Sequence, residues 1–318
     1  MLRRLPNRTR NLSGPQEGGG GATAARSSGT GAGQIPRGGT KTPIAHLTEI
    51  PRLPWEGPER LSDTTAIYRF EDAEGTRQDL LWAPKEGATR LFVLFSGDAM
   101  RSKYDPPVFQ RWKWASALPG DVLYISDPTL WIDDTLGLAW YSGTAEHDPL
   151  AGIVALIRAI AAARGVPESA IVTYGSSGGG FAALRVAAAL PEAIAVPINP
   201  QTTITDYEFR NVEKYLRTAF GTADRALALE RHPRLSLAAV KEALAGRRIV
   251  YIQNLLDPHH VESHLAPFAR LMGVDPETEN RDTGSFRLLF FEREGGHGAA
   301  ETQEVFDAAL EIVTGWTG

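Results

Sequence analysis

The chain has 318 residues, 42% hydrophobic and 22% charged, with 33 basic and 38 acidic side chains, a net charge of −5 and no cysteine. Without a thiol there is no disulfide framework, no cysteine-ligated zinc or iron–sulfur site and no cysteine nucleophile. The acidic balance argues against a nucleic-acid partner held by phosphate contacts, and no run approaches the roughly 18 apolar residues of a membrane span.

The chain opens with a stretch unlike the rest. Residues 1–42 hold 10 of the 32 glycines, seven Lys or Arg and one acid, Glu17, giving +6 there and −11 for the remainder. Large apolar residues are nearly absent, so the segment cannot offset the entropy of ordering its backbone and reads as a disordered leader. It has no apolar h-region, so it is not a secretory signal, and a cytoplasmic location is expected. Two glycine-rich near-matches to nucleotide-binding loops, Gly29–Gly33 and Gly33–Lys41, lack the preceding strand and the full spacing. No cofactor is expected.

From residue 43 onward the pattern is that of one domain. Strands are expected at Thr64–Phe70 and Asp79–Ala83, then at Leu91–Phe95, whose unbroken apolar run fits a strand covered on both faces. A helix over Val108–Ala117, a strand over Asp121–Ser126 and a helix from Pro149 to Arg164 follow. Next come a strand at Ala170–Tyr174, an alanine-rich helix at Gly179–Leu190 and a strand at Ala193–Ile198. Residues 201–246 break this rhythm with charged helical sequence, Asp206–Phe220 and Ala223–Leu244 interrupted at Pro233, and read as an insertion. The rhythm resumes with a strand at Arg248–Asn254, a helix at Val261–Met272, a strand at Phe286–Phe291 and a helix at Ala299–Val313. Such alternation implies an α/β fold, a mostly parallel sheet with helices on both faces. Ligands bind such sheets outside the carboxyl ends of the strands.

At one of those ends, the strand Ile171–Tyr174 runs into Gly175-Ser176-Ser177-Gly178-Gly179 and then a helix. This is G-x-S-x-G in its strand–turn–helix setting. The turn is sharp, so small residues must flank a serine held above the sheet. Centring the pattern on Ser176 would put Tyr174 in the first glycine position, so Ser177 is the nucleophile candidate. The backbone N–H of Gly178, at a helix N-terminus, suits an oxyanion.

A serine hydroxyl needs a base to take its proton and an acid to orient the base. Asp257 follows the strand Arg248–Asn254, and His297, in Gly295-Gly296-His297-Gly298, follows Phe286–Phe291. Both fall on the rim that carries Ser177, in the order Ser, Asp, His. Glu262 and Asp282 are rival acids. A second oxyanion donor is expected from Ser96-Gly97-Asp98-Ala99, as the N–H of Gly97 or of Asp98.

On these residues the chain resembles α/β-hydrolase-fold serine hydrolases, by element order over about residues 64–314. The resemblance implies acyl transfer through an acyl-serine, with no metal. Ser177 would attack, His297 would carry the proton and Asp257 would hold the imidazole, while residues 201–246 stand where this family often inserts a helical cap. The family's glycine-rich oxyanion loop is absent. Phe95-Ser96-Gly97, Trp140-Tyr141-Ser142-Gly143 and Asn199-Pro200-Gln201-Thr202 are further similar to hydrolase-like proteins of bacterial surface-glycan assembly. That resemblance implies an esterase or acyltransferase on a small ester or acylated glycan, or else a non-catalytic binding partner. Trp112, Trp114, Trp131 and Trp140 are candidate aromatic platforms, with Trp140 and Tyr141 taken as substrate-binding. His259, His260 and His264 cluster after Asp257, but Val261 and not Glu follows His260, so the zinc-protease order is not met.

Overall fold

A computed structural model describes residues 46–275, 284–299 and 301–316. The leader over residues 1–42 and the rival acid Asp282 lie outside the described residues. Among those described, nine strands form one sheet in the order β1-β2-β3-β5-β4-β6-β7-β8-β9. They are β1 (Arg52–Pro54), β2 (Ala66–Glu71), β3 (Arg77–Ala83), β4 (Leu91–Phe95), β5 (Asp121–Ile125), β6 (Ile171–Ser176), β7 (Ile194–Ile198), β8 (Arg248–Asn254) and β9 (Phe286–Phe291). From β5 to β9 all neighbours are parallel, whereas β3 runs antiparallel to both β2 and β5. The short edge strand β1 was not expected, since three residues ending in proline carry no readable period.

The unbroken apolar run of β4 is explained by cover on both faces. Leu91, Val93 and Phe95 pack with Ile153, Ile157 and Ile160 of α1 (Leu150–Ala163) and Ala182, Ala183 and Val186 of α2 (Gly178–Ala189). Phe92 and Leu94 face the other way, into a cluster with Val305, Phe306, Ala309 and Val313 of the last helix, Gln303–Trp316. Its start is later than the expected Ala299.

One other expectation is corrected, and the expected break at Pro233 is present, with further breaks after it. The helix over Val108–Ala117 is only a 3-10 turn, Trp112–Ala117. The Val108 and Gln110 amides bond instead to the hydroxyls of Ser126 and Ser96, which removes them from any helical ladder. The second insertion helix is broken into α4 (Arg225–Arg231), 3-10 turns at Pro233–Leu235 and Leu237–Val240, and α5 (Lys241–Leu244). Pro233 lacks the N–H that a continuing helix needs, and Ser236 caps a new turn through Ala238 N–H. Ahead of them, α3 (Phe209–Phe220) buries Val212, Tyr215, Leu216 and Ala219, one face at helical spacing, in a cluster with Trp140 and Phe181. Beyond β8, α6 (Pro258–His260) continues through a π turn, Val261–Leu265, into α7 (Ala266–Leu271), which leaves Gln303–Trp316 as α8. Among the described residues, no helix is long and apolar enough to cross a membrane.

Candidate active site

The turn between β6 and α2 is as tight as its glycines imply. A Cβ at Gly175 would lie 2.4 Å from the Gly179 backbone, and one at Gly179 would lie 2.3 Å from the Phe95 carbonyl oxygen. Ser177, at the apex, has φ 56° and ψ −124°, a strained conformation for a residue with a side chain. Its amide donates to the Ile198 carbonyl and its carbonyl accepts from Gly180 and Phe181, so neighbouring β7 and α2 hold the strain in place.

Three side chains from three strand ends meet there. Ser177 Oγ is 2.9 Å from His297 Nε2, and His297 Nδ1 is 3.1 Å from Asp257 Oδ2. Of the rival acids, Glu262 is exposed on the π turn and it is Asp257 that faces the imidazole. Asp257 also caps α6, accepting from His260 N–H at 3.3 Å. Burial pushes the Asp257 carboxyl up, but the imidazoles of His260 and His297 more than offset that, and the net shift is well below the usual carboxylate range. A lowered acid contributes stability that is present above its unfolded value of about 3.9 and lost as pH falls below it. The melting-temperature difference between the parent and Asp257→Asn should therefore be full at neutral pH and shrink below about pH 4.

His297 sits in a short 3-10 turn, Gly296–Gly298, entered through Gly295 at φ 101° and Gly296 at φ 57°. That loop is fixed by a buried side chain that no sequence motif marked. Asn254 Nδ2 donates to the Arg293 and Gly296 carbonyls, and its Oδ1 accepts from Leu256 and Arg293 N–H. Asn254→Ala is expected to cost about 2–3 kcal/mol by leaving these groups unpaired, read by urea unfolding.

A second anchor lies behind the turn. Arg111 pairs with both oxygens of buried Glu301 at 2.8 and 3.0 Å and donates to Ser176 Oγ at 3.0 Å, while the Tyr174 hydroxyl donates to Glu301 at 2.5 Å. This ties the chain just after His297 to the end of β6. Removing one partner of such a buried pair is expensive, so Glu301→Gln should lose roughly 3 kcal/mol of unfolding free energy.

The amides around Ser177 separate the two oxyanion candidates. Ser96 N–H bonds to the Tyr141 hydroxyl, Gly97 N–H to Gln110 Oε1 at 2.9 Å, and Ala99 N–H to the Gly137 carbonyl. Asp98 N–H has no acceptor among the described residues, nor does Gly178 N–H at the start of α2. Gly97 still matters for space, since a Cβ there would stand 3.3 Å from Ser177 Cβ.

Trp140 and Tyr141 are buried and hold the site from within. Trp140 packs on Tyr207 and Tyr215, and a Cβ on Gly178 would meet its ring at 3.3 Å. The Tyr141 hydroxyl bridges the Ile125 carbonyl and Ser96 N–H, so it shapes the loop that carries Asp98. Both residues have positive φ, 53° and 54°. The other tryptophans lie elsewhere: Trp114 against Phe306, Trp112 at the edge of the α8 cluster, and Trp131 bonded to Asp79 under Arg77.

Sequence reasoning missed Gln201 as a site residue. It is fully buried, and its Nε2 is 3.0 Å from Ser177 Oγ and 2.8 Å from His260 Nε2. Its Oε1 accepts from Trp140 Nε1–H at 3.0 Å. His260 stacks on His297, centroids 3.9 Å apart and planes 8° apart, with its Nδ1 2.9 Å from Asp257 Oδ2 though not aligned for a hydrogen bond. Burial lowers the proton affinity of His260, the Asp257 carboxylate opposes it and the imidazoles of His297 and His259 add to it, while burial with nearby histidines pushes His264 down to about 3. Donor atoms of Asp257, His260 and His297 lie within 4.8 Å of one another, a spacing that would also suit a metal ion. His264 is not in that group, and its Nδ1 accepts from Thr202 N–H at 3.3 Å.

No family model matches the sequence, and no curated protein matches it. Solved structures do. The chain is similar to the capsule O-acetyltransferase of Neisseria meningitidis serogroup A, at 18% identity and TM-score 0.55, over 81% of this chain and 98% of that one. It is also similar to the glycosylation associate protein (Gap123) complex from Streptococcus agalactiae, at 17% identity and TM-score 0.53, over 78% of this chain and 45% of that one. A third likeness is to the acylaminoacyl peptidase of Pyrococcus horikoshii, at 16% identity and TM-score 0.52, over 74% of this chain and 37% of that one.

Proposed function

We propose that this α/β-hydrolase-fold chain is a serine acyl-transfer enzyme, an esterase or acyltransferase that works on a carboxylic ester through an acyl-Ser177 intermediate. The observation that carries this reading is the hydrogen-bonded line from Ser177 Oγ to His297 Nε2 and from His297 Nδ1 to Asp257, at the apex of a strained strand–helix turn.

In the first half-reaction, Ser177 Oγ forms a bond to the substrate carbonyl carbon as its proton passes to His297 Nε2. The carbonyl oxygen becomes an oxyanion, for which the N–H groups of Asp98 and Gly178, without an acceptor among the described residues, are the donors. The ester bond to the leaving alcohol breaks, and His297 returns the proton to that oxygen. In the second half, His297 takes a proton from water or an acceptor hydroxyl, which attacks the acyl-serine and restores Ser177. Asp257 stays ionised throughout and keeps His297 oriented.

An acylated glycan is the substrate class we favour. Support comes from the structural likeness to a capsule O-acetyltransferase and a glycosylation-associated complex. A non-catalytic glycan-assembly partner is the second reading, favoured by the capped Gly97 amide, which leaves one loop donor where the substrate oxygen would sit. A fluorophosphonate probe tests the enzyme reading: a single adduct is expected on Ser177 by peptide mass spectrometry. Folded protein that takes up no probe, or takes it up elsewhere, would sink it. Release of acetate from an O-acetylated oligosaccharide, compared with transfer to a deacetylated one, then separates hydrolysis from transfer.

A further inference from the structure

We propose that Gln201 is a further catalytic residue of the Ser177 centre, its amide N–H donating to the nucleophile oxygen, and that His260 is the positioning residue that aims it. This rests on the acyl-serine reading above.

The orientation of the amide follows from its neighbours. An indole N–H is a donor only, so the atom facing Trp140 Nε1 at 3.0 Å has to be Oε1. Nε2 therefore faces Ser177 Oγ and His260 Nε2, and its two hydrogens match these two acceptors. Ser177 has one proton to give. His297 Nε2 at 2.9 Å is closer to Oγ than Gln201 Oε1 at 3.3 Å, so the hydroxyl donates to the base and accepts from Gln201.

The same reasoning fixes His260. To accept from Gln201, its Nε2 must be unprotonated, which places its proton on Nδ1, beside Asp257 Oδ2 at 2.9 Å. Asp257 thus faces two parallel imidazoles with different tasks. His297 exchanges protons with Ser177, and His260 stays neutral and holds the amide. Charging both rings would set two cations 3.9 Å apart in a buried site. Thr202, next to Gln201, is pinned to the π turn through His264, which fixes the backbone behind the amide.

A fixed N–H on Oγ matters when that oxygen carries charge. It does so as the hydroxyl loses its proton in acylation, and again as Oγ leaves the acyl carbon in deacylation. A preorganised donor at such an atom lowers both barriers without reorganisation.

The test is the second-order rate of fluorophosphonate modification of Ser177, which reports attack by Oγ without binding of an acyl acceptor. Gln201→Leu is expected to slow it about 10- to 100-fold. Gln201→Glu, isosteric and able to accept from Trp140, has no donor for Oγ and should slow it at least as much, which keeps the test available if the leucine variant folds poorly. His260→Leu should give a similar loss. His260→Gln offers an oxygen acceptor to Gln201 and should recover most of the rate, a rescue that a purely structural role would not show. Rates within twofold of the parent in both Gln201 variants, or His260→Gln as slow as His260→Leu, would overturn the proposal. A parent protein that takes up no phosphonate overturns the acyl-serine reading instead and is recognised without any variant.

Discussion

Ser177→Ala is expected to lower ester turnover by about 10^4- to 10^6-fold, and His297→Ala by a comparable factor. The double variant should be no slower than either single one. In the proposed mechanism nucleophile and base act as one unit: without His297 the Ser177 hydroxyl would keep its proton, and without Ser177 the imidazole would have no nucleophile to activate. What remains would be the modest rate supplied by binding and by the oxyanion donors. Burst and steady-state kinetics with a chromogenic acyl ester measure this directly. Multiplicative losses in the double variant, or turnover that survives Ser177→Ala, would place the chemistry elsewhere. The substitution should be mild for folding, since alanine keeps the Cβ and meets the same strain at φ 56°. Ser177→Gly would relieve that strain and recover roughly 1–2 kcal/mol, against the loss of two hydrogen bonds.

The second large effect concerns the turn itself. Gly179→Val is expected to prevent stable folding, and Gly175→Val likewise. The new Cβ at Gly179 would sit 2.3 Å from the Phe95 carbonyl oxygen and 2.8 Å from its carbon. At Gly175 it would sit 2.4 Å from the Gly179 backbone. These are backbone atoms of β4 and α2, so no rotamer change relieves the clash, and helix and sheet would have to separate along the core that Phe95, Ala182 and Ala183 fill. Overpacking normally costs about 1–3 kcal/mol, and more where nothing can give. A domain holds only about 5–15 kcal/mol in reserve. Gly298→Ala is the control. A Cβ there meets nothing within 4 Å, so its denaturation midpoint should stay near the parent's. Thermal and urea denaturation of the three variants provide the comparison, and a Gly179→Val protein as stable as the Gly298→Ala one would contradict this close packing of α2 on β4.

The α/β class was legible because its signals are local. The continuous apolarity of Leu91–Phe95 reports cover on both faces, and β4 is indeed packed on one side by α1 and α2 and on the other by α8. The serine turn was legible because close strand–helix approach demands glycine at fixed offsets. Asp257 and His297 could be named from their places after β8 and β9, and the structure sets His297 against Ser177 and Asp257 against His297. Sequence erred where side chains far along the chain compete for backbone groups. Ser96 and Ser126 take the amides that a helix at Val108 would use.

By itself, then, the sequence determined the elements whose periodicity or turn chemistry is written within a few residues: the sheet strands other than β1, the alanine-rich helix and the glycines of the Ser177 turn. Only the tertiary structure decided what depends on contacts between distant residues. It set Gln110 on the Gly97 amide and left Asp98 N–H without an acceptor among the described residues. It turned Trp140 and Tyr141 inward, to hold Gln201 and Ser96. It joined Arg111 to Glu301 across 190 positions and laid His260 flat on His297. No spacing rule reaches that far: such pairs are selected by which hydrogen-bonding groups the packed sheet and helices bury side by side, each needing a partner once water is gone.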